Sequence, residues 1–298
     1  MTTSALETPF GRVLTAMVTP MTMGGEVDYD GAGELAAYLV DHGSDGLVVS
    51  GTTGESATTT DAEKQSLLRS VVEAVGDRAQ VLAGVGTNDT AHSAELAREA
   101  EKAGATGLLA VTPYYNKPPQ AGVVAHFTAV AEATDLPVML YDIPGRTGLA
   151  LETATLVRLG EHQRILAVKD AKGDLAATSW VRARSELAIY SGDDINTLPL
   201  LAVGAAGVVG VVTHLFGAEM AEMIGLFQAG DVTGALALHL RLLPVFTGFF
   251  RTQGVILAKA ALNLRGLPAG PVRLPLVEAT GEQVEQLRAD MAAAGRKL

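Results

Sequence analysis

Short apolar runs alternate along this chain with longer stretches in which apolar residues recur every three or four positions. The short runs are typical of strands buried on both faces, and the longer stretches are typical of amphipathic helices. Strand starts recur roughly every 20 to 35 residues, which favours one repeated strand–helix unit. The predicted strands cover residues 14–20, 46–50, 81–85, 107–112, 137–142, 165–170, 187–191 and 206–212. The predicted helices include 31–41, 61–75, 90–103, 119–133, 153–159 and 194–203, with Asp61 as the N-cap residue of the second.

Eight such units predict a parallel sheet that closes into a (β/α)8 TIM barrel. An open, doubly wound sheet is the alternative, but no Gly-x-Gly-x-x-Gly turn follows the first predicted strand. No linker or low-complexity break divides the 298 residues, so we expect a single domain over 1–298. Within it we expect residues 1–230 to form the barrel and residues 231–298 to form a C-terminal helical extension.

The sixth predicted strand passes from an apolar run, Ile-Leu-Ala-Val, directly into a lysine and an aspartate. Strand alternation places Ile165, Ala167 and Lys169 on one face, so the lysine amine has apolar neighbours. Loss of water around an ammonium lowers its pKa and leaves a free amine that can attack a carbonyl. A strand-end lysine that reaches water is the alternative, because lysine stems often lie along apolar surface.

Polar residues also follow other predicted strands. In a TIM barrel the active site gathers at the carboxyl ends of the strands. Here these ends carry Thr52, Thr53, Tyr114, Tyr115, Tyr141, Arg146 and Lys169. The Gly-Thr-Thr-Gly segment at 51–54 offers backbone N–H groups and two hydroxyls, which suits a carboxylate. Structural interpretations stay open: a turn for this segment, packing for the tyrosines and a surface position for the arginine.

Composition narrows the chemistry. The net charge of −11 argues against nucleic acid and anionic membranes as partners. The chain has no cysteine, which excludes disulfides, thiolate metal sites and cysteine nucleophiles. The six histidines show no metal-ligand spacing and there is no Gly-x-Ser-x-Gly segment, so we expect no metal, no cofactor and no serine chemistry. The first seven residues lack signal-peptide features and the apolar stretch 198–212 is too short for a membrane span, so we expect a cytoplasmic protein.

Four segments in order carry a family resemblance: GTTGES from Gly51, TPYYNKP from Thr112, YDIPGRTG from Tyr141 and VKDA from Val168. In these segments and their spacing the chain resembles the dihydrodipicolinate synthase family, also called 4-hydroxy-tetrahydrodipicolinate synthase. The resemblance implies a (β/α)8 barrel with a helical extension, and a homotetramer built from two tight dimers. It also implies condensation of pyruvate with L-aspartate 4-semialdehyde, the first committed step of bacterial lysine synthesis.

The resemblance further implies roles for individual residues. Lys169 matches the lysine that forms a Schiff base with pyruvate. Tyr141, Thr52 and Tyr115 match a relay of hydroxyl groups that moves protons, with Tyr115 contributed to the neighbouring subunit's site. The substrate-binding positions are Thr53 for a carboxylate, Arg146 for the carboxylate of the second substrate, and Gly192 and Val209 in the lining of the site.

Some positions depart from the family pattern. Gly210 stands where many members carry serine, and Met21 stands where phenylalanine is common, so both bear on how the pocket packs. At the site where lysine inhibits regulated members, the corresponding residues here are Asp61, Lys64 and His92. His92 replaces a glutamate that receives an amino group of bound lysine, and Lys64 adds a positive charge. The pattern therefore predicts weak inhibition by lysine or none.

Two other functions remain open on the sequence. N-acetylneuraminate lyase and related pyruvate aldolases share the barrel, the lysine and the tyrosine, but they cleave longer substrates. Arg146 and the tyrosine pair favour the synthase, because a short aldehyde that bears a carboxylate needs a cation at the mouth of the site. A non-catalytic relative that uses the barrel as a binding module would be favoured by loss of Lys169 or Tyr141, and both are present.

Overall fold

The computed structural model describes residues 8–297, and within them eight parallel strands close into a barrel. The strands are β1 (Val13–Ala16), β2 (Gly46–Val49), β3 (Gln80–Gly84), β4 (Gly107–Val111), β5 (Val138–Asp142), β6 (Ile165–Asp170), β7 (Ala188–Ser191) and β8 (Gly207–Gly210). Their order in the sheet follows their order in the chain, and β1 closes the barrel by pairing with β8. The predicted TIM barrel is confirmed.

Helices connect successive strands, and further helices follow β8. In the described residues they are α1 (Tyr29–Asp41), α2 (Asp61–Val75), α3 (Thr90–Lys102), α4 (Gln120–Glu132), α5 (Pro144–Thr147), α6 (Thr153–Leu159), α7 (Leu175–Arg184), α8 (Thr197–Ala202), α9 (Thr213–Gln228), α10 (Val232–Gly248), α11 (Gly254–Leu264) and α12 (Gly281–Ala293). The N-cap of α2 is Thr60, so the prediction of Asp61 is wrong by one residue. Thr60 and Glu63 exchange two hydrogen bonds as a capping box, which Asp61 would not complete. The predicted helix 194–203 is divided into a 3-10 turn, Asp194–Asn196, and α8.

Strands β1 and β8 are shorter than predicted because side chains take over their hydrogen bonding. Beyond β1, the Val18 N–H donates to the ring of His214. Beyond β8, the N–H groups of Val211 and Val212 donate to the carboxylate of Asp194. These bonds replace the pairing with a neighbouring strand, so the sheet ends and the chain turns at the mouth of the barrel.

Apolar side chains form an outer layer between the strands and the helices and an inner layer inside the barrel, and β6 contributes to both layers. Ile165 packs in the outer layer, between strands and helices, whereas Ala167 packs in the barrel interior. The pairing with β5 shifts by one residue at Leu166, as in a β-bulge. The prediction that Ile165 shares a face with Lys169 is therefore wrong, while Ala167 and Lys169 both point inward.

The C-terminal helices α10 to α12 reach back to the carboxyl end of the barrel through the loop between α11 and α12. In this loop the Ala269 carbonyl accepts the Met21 N–H at 3.0 Å, and the Arg273 N–H donates to the Glu55 carboxylate at 2.8 Å. The extension thus contacts the loops that follow β1 and β2. The domain division at residues 230 and 231 stays a prediction, and the segment without signal-peptide features, residues 1–7, lies outside the described residues.

Candidate active site

Lys169 lies inside the barrel near the carboxyl end of β6. The pairing of β5 with β6 places Tyr141 opposite Lys169, and the Lys169 Nζ lies 4.3 Å from the centre of the Tyr141 ring. The lysine is 4% exposed. Burial lowers the pKa of its ammonium to about 8, because the charged form loses water, and the charge of Asp194 opposes this shift. A useful fraction of the amine is therefore free near neutral pH.

Tyr141 keeps its proton under the same conditions. Burial raises the pKa of its phenol to about 12, while the charge of Arg146 and a hydrogen bond with Thr52 act in the opposite direction. A protonated phenol can donate one hydrogen bond and accept another. Tyr141 is thus suited to pass a proton between the Lys169 side and the Thr52 hydroxyl.

The loop after β2 holds the two predicted threonines on a tight turn. The Thr52 carbonyl accepts the Glu55 N–H at 3.2 Å, and Thr53 is 8% exposed. Ser50 and Glu55, at the two ends of the turn, have φ angles of 57° and 54°. Residues other than glycine adopt this left-handed conformation at an energetic cost, and such strain clusters at functional sites.

The other predicted binding positions surround the lysine in different ways. Arg146, in α5, is exposed, and its positive charge lowers the pKa of both Tyr141 and Lys169. Gly192 allows a close approach, because a Cβ there would lie 3.0 Å from the Cγ of Lys169. Val209 packs in the barrel interior. Arg146 is therefore a cation at the mouth, and the other two shape the space around the amine.

Tyr115 is separate from this group. Its side chain is 88% exposed and its φ angle is 73°. The structure thus brings Lys169, Tyr141 and Thr52 together within one chain and directs Tyr115 away from the barrel interior.

Two acidic residues beside Lys169 were not singled out from the sequence. Asp193 and Asp194 follow β7, and both charges favour the ammonium form of Lys169. Asp194 is 1% exposed, and its Oδ2 accepts the Val211 N–H at 3.0 Å. Burial raises the pKa of the Asp193 carboxyl, and it raises that of Asp194 to about 6. The signal was present in the sequence as two consecutive aspartates that follow the seventh strand after one glycine.

Gly210 leaves room for this acid. A Cβ on residue 210 would overlap Asp194 Oδ1, so the departure from the family pattern at Gly210 lies directly against the carboxylate beside Lys169. Met21 differs, since it is 3% exposed and packs in the outer apolar layer. Of the two departures, the one at Gly210 therefore bears on the site.

His214 joins the ends of β1 and β8 as a neutral ring. Its Nε2 lies 3.0 Å from the Val18 nitrogen, which can only donate, so Nε2 is the acceptor. Its Nδ1 therefore carries the proton and donates to the Val211 carbonyl at 2.7 Å. Burial lowers the pKa of the ring to about 4, which agrees with this tautomer.

Asp61, Lys64 and His92, the residues predicted to lie where regulated members bind lysine, form one cluster. The Asp61 carboxylate lies 2.9 Å from His92 Nε2 and 3.4 Å from Lys64 Nζ, through different oxygens. Partial burial acts to raise the pKa of Asp61, but the hydrogen bond with His92 and the charge of Lys64 outweigh it and lower that pKa. Both Asp61 oxygens are thus engaged within the chain.

Within residues 8–297, no group of three or more histidine, aspartate or glutamate side chains is placed to hold a metal ion. Over the same residues, no helix has both the length and the apolar character needed to cross a bilayer. The polar groups at the mouth of the barrel are an amine, a phenol, hydroxyls, a guanidinium and carboxylates.

Comparison with known proteins gives the family. The model of the Dihydrodipicolinate synthetase family matches residues 9–294, nearly the whole chain. The chain belongs to the dihydrodipicolinate synthetase family. It is an enzyme, a lyase of lysine and diaminopimelate biosynthesis, and the resemblance carried by the four motifs is confirmed.

Individual members of the family are similar over nearly their full length. The 4-hydroxy-tetrahydrodipicolinate synthase of Acidothermus cellulolyticus is 73% identical over 295 residues, which cover 99% of this chain and 96% of that protein. The crystal structure of dihydrodipicolinate synthase from Cyanidioschyzon merolae with lysine bound matches with a TM-score of 0.94 at 47% identity, covering 96% of this chain and 98% of that one. The chloride-inhibited enzyme from Acinetobacter baumannii complexed with pyruvate gives 0.92 at 35% identity, over 97% and 99% of the two chains.

Proposed function

We propose that this enzyme condenses pyruvate with L-aspartate 4-semialdehyde to give 4-hydroxy-tetrahydrodipicolinate. The observation that carries the proposal is the buried Lys169 amine, with its lowered pKa, beside the Tyr141 phenol inside the barrel. An amine of this kind attacks ketones readily because it is free near neutral pH and poorly solvated. The name 4-hydroxy-tetrahydrodipicolinate synthase, borne by a relative of 73% identity, supports the same reaction.

The reaction proceeds through a Schiff base. The Lys169 Nζ attacks the keto carbon of pyruvate, and loss of water gives a protonated imine. The imine withdraws electrons, so the methyl group releases a proton and an enamine forms. The enamine carbon bonds to the aldehyde carbon of the second substrate, whose oxygen takes up a proton. The amino group of that substrate then attacks the imine carbon, which closes the ring and releases Lys169.

The proton transfers use hydroxyl groups. Tyr141 is adjacent to Lys169 and shares a hydrogen bond with Thr52, and aligned hydroxyls move protons without adding a buried charge. We infer that Tyr115 completes this relay in a second copy of the chain, because its side chain is 88% exposed in its own. The assembly that follows is a tight dimer, within a homotetramer of two such dimers.

The substrates are held by their carboxylates. Thr53 and the backbone of its loop bind the carboxylate of pyruvate, since the loop combines a hydroxyl with N–H donors. Arg146 binds the carboxylate of the semialdehyde, because an exposed guanidinium at the mouth can form two parallel hydrogen bonds. Gly192 and Val209 line the space in which the new bond forms.

Trapping with borohydride tests the covalent step. Pyruvate and borohydride together should add one reduced adduct per chain, and peptide mapping should place it on Lys169. Lys169→Ala is the matched control and should take up no adduct. An adduct on Lys172 or Lys259 in the wild-type chain would contradict the assignment.

A coupled assay separates the synthase from its rivals. Turnover is expected with pyruvate and L-aspartate 4-semialdehyde, and none with N-acetylneuraminate. The reverse result would favour an aldolase that cleaves longer substrates, and no turnover with either would favour a binding module. We also infer a cytoplasmic location, because both substrates arise in the cell interior, and cell fractionation tests it.

A further inference from the structure

A buried ion pair joins the C-terminal extension to the loop after β2. The Nζ of Lys259, in α11, lies 2.6 Å from Glu55 Oε1, and both side chains are 1% exposed. The second carboxylate oxygen of Glu55 accepts the Arg273 N–H at 2.8 Å. Lys259 also donates to the Pro271 carbonyl at 2.7 Å. Each charge is thus bound by groups of the extension or the loop and is shielded from water.

Stability alone is a weak reason for such a pair. Removing two charges from water has a cost that their attraction only partly recovers, and apolar side chains of similar size often stabilise a fold as well or better. The position of Glu55 suggests another reason. This residue has a φ angle of 54°, and its N–H donates to the Thr52 carbonyl at 3.2 Å. A fixed Glu55 side chain therefore holds a strained backbone in place one turn from Thr52.

Arg273 strengthens the same connection. Its guanidinium binds both carboxylate oxygens of Glu63, at 2.6 and 3.0 Å. It also donates to the carbonyls of Gly25 and Thr58, each at 2.8 Å. The extension therefore holds the loop after β2 at several points. Among these contacts, the buried one is the ion pair between Glu55 and Lys259, next to the turn that carries Thr52 and Thr53.

We propose that Glu55 and Lys259 are positioning residues that fix the loop after β2, so that Thr52 and Thr53 face Tyr141 and the bound pyruvate. This inference rests on the function proposed above, because the two threonines act only in that reaction. Breaking the pair should raise the KM for pyruvate and lower kcat. It should leave Lys169 able to form the Schiff base, because Lys169 is held by β6 and not by the loop.

The test compares Glu55→Gln, Lys259→Met and the double variant with wild type. Each single variant should lose roughly ten- to a hundredfold in kcat/KM for pyruvate, as expected for a small misplacement of catalytic groups. The double variant should lose no more than the worse single one, because both changes break one interaction. Borohydride trapping at saturating pyruvate should still label Lys169 in all three.

Arg251→Met is the matched control. It breaks the ion pair between Arg251 and Asp290, which lies in the same extension but does not involve the loop after β2. The control should lower Tm while both kinetic constants stay at the wild-type value. An equal kinetic loss in Arg251→Met would mean that general loosening of the extension is responsible, and it would overturn the inference.

Unchanged kinetic constants in folded Lys259→Met would also overturn it. If Lys259→Met does not fold, the Glu55→Gln variant provides the test. Faster hydrogen exchange at the amides of residues 51–56, together with a reduced kcat/KM, would support the inference. Unchanged exchange rates and an unchanged kcat/KM would overturn it. If neither folds, the pair serves folding and the inference is wrong. Turnover by the wild-type enzyme is measured first, and its absence would refute the proposed function. If wild type turns over and the variants keep its kcat/KM, only the positioning role is refuted.

Discussion

The reactivity of Lys169 should depend on pH as that of an amine with a pKa of about 8. At pH 7 roughly a tenth of such amines are free, against about 0.03% for the ordinary lysine pKa of 10.5. The free population is therefore about 300-fold larger. From pH 7 to pH 9 the rate of modification at Lys169 should rise about tenfold and then level off. An ordinary lysine would show a rise of about a hundredfold over this range and no plateau.

Competitive acetylation measures this directly. A small anhydride is added over a series of pH values, and mass spectrometry compares the Lys169 peptide with a free lysine peptide in the same reaction. Asp194→Asn tests the cause, because the Asp194 charge favours the ammonium and its removal should move the midpoint to lower pH. A rate that keeps rising in parallel with the reference peptide would refute the effect of burial. A midpoint at higher pH in Asp194→Asn would refute the role given to that charge.

Three further predictions follow. Tyr115→Phe and Lys169→Ala chains, each inactive alone, should regain activity in mixed dimers, because one site then has both groups; no recovery in mixed dimers verified by native mass spectrometry would place Tyr115 outside the partner's site. Lysine should give half-inhibition only above about 1 mM in a steady-state assay, because His92 replaces an acidic partner of the bound lysine. Loss of one charge-assisted hydrogen bond costs roughly 1.5–3 kcal/mol, which is at least about tenfold in affinity. Half-inhibition at a lower lysine concentration would contradict this prediction. His214→Gln should make the free energy of unfolding less sensitive to acid. In the unfolded chain His214 binds a proton below about pH 6.5, whereas in the native protein it does so only near its pKa of about 4. Wild type therefore loses ~3 kcal/mol of stability as pH falls between these values. The difference in free energy of unfolding between the two proteins isolates this effect from Asp194, whose raised pKa acts in the opposite direction, and a difference that does not vary with pH would contradict it.

The barrel and the centre of its site were predictable because they depend on local patterns. Eight apolar runs separated by helical periodicity specify the fold, and a lysine or tyrosine directly after such a run has to lie at the carboxyl end of a strand. The positions of Lys169 and Tyr141 follow from this rule and agree with the structure. The fine limits of elements were less predictable, as at Thr60 and Asp61, because adjacent residues are both good N-caps.

What the sequence did not reveal depends on contacts between distant segments. The burial of Asp194 arises only when β7 and β8 are adjacent and residue 210 has no side chain. The ion pair of Glu55 with Lys259 joins the second strand's loop to a helix near the C-terminus. Glu55 and Lys259 have no local sequence pattern that distinguishes them from solvated surface residues, and Asp194 has only its place in a pair of aspartates after the seventh strand.

The extra residue at Leu166 has a consequence for how this enzyme can change over evolution. Ile165 before it faces the helices, and Ala167 and Lys169 after it face the barrel interior. Because side chains alternate with a period of two, Ile165 and Lys169, which are four residues apart, lie on opposite faces only because of this extra residue. Deletion of one residue between them would remove the bulge, restore uninterrupted pairing with β5, and leave the amine facing the interior. Lineages and engineered grafts should therefore be able to shorten this part of β6 by one residue at the bulge and keep the nucleophile in place.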